Sequence, residues 1–248
     1  MLLGALIPAA PAAAKPATSQ QLAQYRTLQA NVDQAFLWAY LNKNHENIRP
    51  ASGKTRYLGA KIVSATGSTF FFNCHFYTVR SEVANAITTP KGSIFLYGGL
   101  DRLKLTEAEQ AAVIAHEIGH LARSHWLERL KRNLQAQVLA NYAAKTYGRG
   151  SAQISALYSM LQNLQYSRQE EYEADALGAQ FLLNAGYPPQ AMETALIKLD
   201  GDQEARADGK HTVNAFLSDH PMTPDRIRRL EALIPTLRVQ HKRLRRLN

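Results

Sequence analysis

The sequence predicts an α+β fold in which helix predominates and a small β-sheet precedes the main helices. Three observations predict it. Apolar residues recur at helical spacing from Gln21 to Asn44, side-chain character alternates from Phe70 to Thr78, and helical patterns follow one another beyond Gly99.

The chain opens MLLGALIPAAPAAAKPA: an apolar stretch, Pro8 and Pro11, then Ala12-Ala13-Ala14. Small residues after an apolar run are what a signal peptidase reads, so residues 1–14 are expected to be an export-signal remnant. Leu22, Tyr25, Leu28, Val32, Phe36 and Ala39 form the stripe of an amphipathic helix. Phe70, Phe72, Cys74, Phe76 and Thr78 then fall on one face of a strand, with Phe71, Asn73, His75 and Tyr77 on the other. Pro90-Lys91-Gly92 marks a turn, and Ser93 to Tyr97 a second strand stopped by Gly98-Gly99. Thr106-Glu107-Ala108-Glu109 is a capping box that opens a helix. Further helical patterns cover 130–147, 154–186 and 189–199, with a polar loop expected from Gly201 to Gly209. The last helix begins near Thr223 or Pro224. Residues 15–237 thus read as one domain and residues 238–248 as a basic tail.

Composition narrows the chemistry. Of 248 residues, 46% are hydrophobic and 20% charged, a balance that supports a packed core. The single cysteine, Cys74, excludes an internal disulfide and any metal site built on several thiolates, so a bound metal must be held by histidine and carboxylate. Cys74 itself reads as a small core residue. The apolar run from Met1 to Ala14 is too short to span a bilayer. A net charge of +9 favours anionic surfaces. The cluster HKRLRRLN, from His241 to Asn248, has no aromatic residue to stack on bases, so no nucleic-acid partner is expected; it reads first as a solvated basic tail and next as a contact for a membrane surface.

The chemistry centres on AHEIGH. An α-helix turns about 100° per residue, so His116 and His120 lie about 40° apart in azimuth and one turn apart along the axis. Both imidazoles can reach one tetrahedral zinc, and Glu117 lies beside them, able to hold a water without becoming a ligand. A catalytic metal needs a third protein ligand. The segment SRQEEYEADALG supplies Glu171 as the candidate, with Asp175 one turn on, placed to accept the free N–H of a ligating histidine. Glu170 and Glu173 read as solvated. His125 lies about 140° round the helix from His120, off the metal face, and is set aside. Trp126 stands where a third metzincin histidine would be, and His45, His75, His211 and His241 read as ordinary polar residues.

HEIGH followed some fifty residues later by SRQEEYEAD resembles the gluzincin zinc metallopeptidases of family forty-eight, which include HtpX-like and CAAX-prenyl-protease-related enzymes. Within it the likeness is to the compact periplasmic BepA/LoiP-like branch. VANAITTPKGSIFLYGGL (Val83 to Leu100) resembles the family's strand-and-turn segment, and SDHPMTPDRIRRL (Ser218 to Leu230) its S-x-H-P element. The resemblance implies a zincin-type domain holding one Zn2+ through His116, His120 and Glu171, with Glu117 as the base. It implies a supporting role for Asp175, His220 over the metal as gate or oxyanion donor, and Arg226 nearby. Asn85 and Ala86 would belong to an edge strand that binds substrate. Membrane-spanning HtpX-like members differ: Lys131, Arg132, Lys145 and Arg149 interrupt the stretch after the HEIGH helix, so a free-standing protease domain is expected.

The function implied is a zinc-dependent endopeptidase for unfolded or misassembled proteins in periplasmic quality control. Envelope assembly factors, or a membrane surface met through the basic tail, are the expected partners. Its rival is a zinc-stabilised holdase that captures unfolded envelope proteins without cutting them. An intact Glu117 favours hydrolysis, since a holdase needs no base.

Overall fold

A computed structural model describes residues 47–67, 73–126, 128–129, 166–204, 220–222 and 224–246, with scattered positions of a helix between 27 and 41. Its elements are β1 (Ile48–Pro50), α1 (Gly53–Ala65), β2 (His75–Val79), β3 (Ala86–Thr88) and β4 (Ser93–Tyr97), then a 3₁₀ turn at Gly98–Leu103. Four helices follow: α2 (Glu107–Ala122), α3 (Arg168–Asn184), α4 (Ala191–Glu204) and α5 (Pro224–Arg245). This is the helix-dominated α+β fold expected. No helix among the described residues is long and apolar enough to cross a membrane.

The sheet is mixed, in the order β1-β2-β4-β3, with β2 parallel to β4 and both outer strands antiparallel to their neighbours. Successive side chains alternate faces. Ile94 enters the main core with α1, α2 and α3, while Phe95 joins Ile48 and Val79 on the opposite face. Tyr77 lies opposite Phe95 in register, and their rings stack at 4.9 Å. The Pro90-Lys91-Gly92 turn forms as expected, with Gly92 at φ +100° and its N–H donating to the Thr89 carbonyl.

Helix α2 is buried on every side from Ala111 to Leu121, as suits a central helix wrapped by the sheet, α1, α3 and α4. Its approach to α3 is set by two glycines. A methyl group at Gly119 would stand 2.8 Å from the Ala174 carbonyl oxygen, and one at Gly178 would stand 3.2 Å from the His116 nitrogen. Residue 119 meets 174 while 116 meets 178, so the helices cross antiparallel with backbones nearly touching.

Three segments differ from expectation. Helix α1 was not anticipated; it buries little beyond Leu58, Gly59 and Ile62, too sparse a stripe to stand out. Helix α4 runs on to Glu204, so the polar residues Gly201 to Glu204 are helical rather than loop. Helix α5 continues to Arg245, making most of the basic stretch an extension of the helix beyond Leu237, its last buried residue. The expected signal remnant, the helix at 130–147, residues 154–165 of the next and Ser218 lie outside the described residues.

Candidate metal centre

Both helices that carry the centre start with the same device. Thr106 Oγ1 accepts from the Glu109 N–H while the Glu109 carboxylate accepts from the Thr106 N–H. Ser167 and Glu170 repeat the exchange at the start of α3. Two free donors of each helix end are thereby satisfied. The second box shows why α3 begins at Ser167, and it overturns the reading of Glu170 as solvated: that side chain is buried against its own helix end. Lys198 adds an ion pair to Glu109 at 2.6 Å. Burial alone would raise the Glu109 pKa, but Lys198 and the cap bonds outweigh it and bring it down to about 2.

The capped helices and the 220–226 segment converge on one point. His116 Nε2 is 3.0 Å from His120 Nε2 and 3.5 Å from Glu171 Oε2. His120 Nε2 is 3.3 Å from Glu171 Oε1, and His220 Nδ1 is 3.1 Å from that oxygen and 3.2 Å from His116 Nε2. All four residues are buried, with ligand atoms within 4.8 Å of one another. Four donors placed tetrahedrally at zinc's usual 2.0–2.1 Å would lie about 3.3 Å apart, so the observed separations fit the ion. The donor set of imidazole and carboxylate also suits it.

The outward atoms of these ligands are held too. His116 Nδ1 lies 3.0 Å from Asp175 Oδ1, as expected for a carboxylate behind a ligating histidine. Burial would lower the His116 pKa, but the hydrogen-bonding carboxylates of Asp175 and Glu171, which accept from a protonated imidazole, outweigh it, and without an ion the pKa rises to about 9. Burial would raise the Glu171 and Asp175 carboxyls. For Glu171 the charges of His220 and Arg226 lead the opposing effects, for Asp175 that of Arg226, and both stay below the usual range. Arg226, wholly buried, donates from Nε and Nη2 to Asp175 at 2.8 and 2.7 Å and places Nη1 2.7 Å from Glu171. Its guanidinium holds both carboxylates.

Glu117 lies beside the cluster. Its Oε2 accepts from the Thr88 hydroxyl at 2.6 Å. Its Oε1 is buried, accepts no hydrogen bond among the described residues, and stands 3.4 Å from His220 Nε2. Thr88 belongs to edge strand β3, and nothing local in its sequence marks it; only the meeting of β3 with α2 reveals it. Asn85 immediately precedes that strand, and Ala86 starts it. The bonds from Tyr97 N–H to Asn85 and from Thr89 N–H to Ser93 put residues 85 and 89 on the β4 side. By antiparallel alternation the polar backbone groups of Ala86 and Thr88 face the outer edge. The Asn85 side chain already accepts the Ala86 N–H at 2.8 Å.

Two further side chains contradict the sequence reading. His125, set aside on azimuth, has Nδ1 2.9 Å from His120 Nδ1. Glu173, read as solvated, accepts from Arg123 Nε at 2.7 Å. Tyr166 stacks on the His120 ring at 3.8 Å, with Arg129 over Tyr166 at 3.9 Å. Burial raises the Tyr166 phenol well above its ordinary range, so it stays protonated. Cys74 is partly buried beside the core, its thiol pushed up to about 12 by burial, which suits an inert residue. His75 is exposed, and His241 is half-buried on α5, fifteen residues beyond Arg226.

Comparison with known proteins follows the same residues. The model of peptidase family M48 matches residues 57–234. Mitochondrial metalloendopeptidase OMA1 of Arabidopsis thaliana is 29% identical over 171 residues, 68% of this chain and 33% of the relative. Beta-barrel assembly-enhancing protease of Escherichia coli O157:H7 is 32% identical over 154 residues, 57% of this chain and 31% of the relative. Metalloprotease LoiP of Escherichia coli K12 is 28% identical over 184 residues, 72% of this chain and 70% of the relative. The chain therefore spans only about a third of the first two.

Proposed function

The chain belongs to peptidase family M48, and on that premise we propose that it is a zinc-dependent endopeptidase acting on unfolded or misassembled polypeptides. The observation that carries the reading is the convergence of His116 Nε2, His120 Nε2 and Glu171 on one buried point beside the Glu117 carboxylate. His116, His120 and Glu171 would hold the ion. When bound, zinc supplies a Lewis acid that acidifies water and polarises the scissile carbonyl.

The chain's own residues do the rest. Thr88 holds Glu117 Oε2, which leaves Oε1 as the atom that takes a proton from the attacking water and returns it to the leaving amine. Asp175 fixes the tautomer of His116, and Arg226 holds Asp175 and Glu171 in place. His220 stands in the fourth donor position at rest. It acts as a gate that must turn aside before water and substrate share the centre, and once aside it is in reach to donate to the oxyanion. The outer backbone edge of β3 at the half-buried Thr88, beside Asn85 and Ala86, would offer an extended peptide bonds that ignore its side chains, which suits unfolded substrates. Export to the periplasm, where assembly factors or a membrane surface would meet the basic end of α5, completes the proposal.

Zinc content and casein cleavage of wild type, Glu117→Gln and Glu171→Ala test it. Glu117→Gln keeps zinc and loses several orders of magnitude in turnover; Glu171→Ala loses zinc. Near-normal cleavage by Glu117→Gln rejects the base. Capture of casein without fragments by the zinc-loaded wild type identifies a holdase instead.

A further inference from the structure

We propose that His125, backed by Glu173 and Arg123, is the positioning residue of His120: it accepts the Nδ1 proton of that imidazole and so keeps the Nε2 lone pair turned toward the metal. The inference rests on the zinc reading of the centre. Four observations carry it.

Helix α2 ends at Ala122, and Ser124 takes the left-handed conformation at φ +55°. The Arg123 and Ser124 N–H groups donate back to Gly119 and Leu121, closing the helix with the left-handed turn usually given to glycine. The chain therefore bends back, and His125, only 3% exposed, meets His120 at 2.9 Å instead of pointing 140° away.

The direction of the proton follows from the far end. A carboxylate only accepts, and Glu173 Oε2 lies 3.6 Å from His125 Nε2, longer than a hydrogen bond but close enough for its charge to favour N–H there. In a neutral His125 the proton on Nε2 leaves Nδ1 as an acceptor. His120 must then carry its own proton on Nδ1, and its Nε2 is bare. The opposite arrangement would face a lone pair with a carboxylate at one end and put a proton between two metal ligands at the other. Arg123, 2.7 Å from Glu173, keeps that carboxylate ionised and in place.

Stacking supplies the orientation. Tyr166 lies parallel to the His120 ring within 22° and blocks a flip of the imidazole. The two metal histidines are thus served alike: Asp175 and Arg226 stand behind His116, His125, Glu173 and Arg123 behind His120. Such partners commonly change metal affinity 10- to 100-fold when removed.

The test measures the zinc dissociation constant of the full chain by competition with a chromophoric chelator, for wild type, His125→Leu, His125→Asn and Glu173→Gln. A long-range proton–nitrogen spectrum of the imidazoles accompanies it. His125→Leu should weaken zinc 10- to 100-fold and lose the slowly exchanging His120 Nδ1–H. His125→Asn, which keeps an acceptor toward His120 and a donor toward Glu173, should stay within about threefold of wild type, and Glu173→Gln should weaken binding three- to tenfold. If His125→Leu does not fold by circular dichroism, the Glu173→Gln affinity decides alone, an unchanged value overturning the proposal. Wild-type affinity in His125→Leu, or a His120 protonated on Nε2, also overturns it. A wild type that binds no zinc overturns the reading of the centre itself.

Discussion

Gly119→Ala tests whether the α2–α3 crossing sets the metal geometry. The new methyl carbon would lie 2.8 Å from the Ala174 carbonyl oxygen and 3.0 Å from its Cα, both backbone atoms of α3 that cannot swing aside. Ordinary contacts of these kinds fall near 3.4–4.0 Å, so the helices must part by roughly half an ångström. Replacing a mid-helix glycine by alanine favours folding by about 1 kcal/mol, whereas overpacking costs about 1–3 kcal/mol. With two rigid overlaps the upper end applies, leaving a net loss of about 1–2 kcal/mol, or roughly 2–8 °C in melting temperature. Glu171 sits three residues before Ala174, so the same shift moves it from His116 and His120. Ligand distances tolerate only about 0.2 Å, and zinc affinity should fall at least tenfold. Thermal unfolding with and without zinc, plus chelator competition, measures both effects. Gly201→Ala is the control: among the described residues nothing lies within 4 Å of its added carbon, and it should gain stability. A Gly119→Ala protein as stable as wild type, with unchanged zinc affinity, would refute the reasoning.

Other perturbations have equally definite outcomes. Glu109→Gln should cost roughly 1–2 kcal/mol at neutral pH by urea unfolding, after discounting for the partly exposed Lys198. Because the folded Glu109 pKa is lowered from 4.5 to about 2, its stabilisation is complete above pH 4.5 and lost as pH falls toward 2. The variant should therefore lose less stability than wild type on acidification, and an equal loss would remove Glu109 from the account. Ser124→Val, which forces a β-branched residue to φ +55°, should lower stability by about 1–2 kcal/mol and weaken zinc, whereas Ser124→Gly should not. Chelator should lower the melting temperature, since zinc at a hundred times its dissociation constant adds about 2.7 kcal/mol; a melt indifferent to zinc would mean no ion binds the folded state. His220→Ala should raise basal casein cleavage if that side chain gates the centre, and a plain loss of activity would assign it to catalysis.

The legible parts of the centre were those written within one helix. Thr106 and Glu109 announced the start of α2, and the spacing of His116, Glu117 and His120 announced the face it turns to the candidate metal centre. Glu171 and Asp175 followed from one-turn spacing on a second helix, but nothing in the residues alone said which glutamate turned inward; that came from family resemblance. Ser167 and Glu170 carried the same capping signal as Thr106 and Glu109, yet the apolar periodicity before them hid the boundary. His125 was misplaced because azimuth arithmetic assumes a helix that continues, and a serine at positive φ breaks that assumption without a glycine to warn of it. Thr88 reaches Glu117 across 29 residues through strand–helix adjacency, which no local pattern records.

The Thr88 hydroxyl gives the edge strand a meaning beyond adhesion. On the proposed reading, a peptide laid along β3 would share its rungs with the residue that grips the Glu117 carboxylate, so the bond to be cut would be counted off by backbone register, as on a ruler, and not by the fit of a side chain. Amides already engaged within a folded partner cannot join such a ladder. Foldedness itself would then separate what is spared from what is cut.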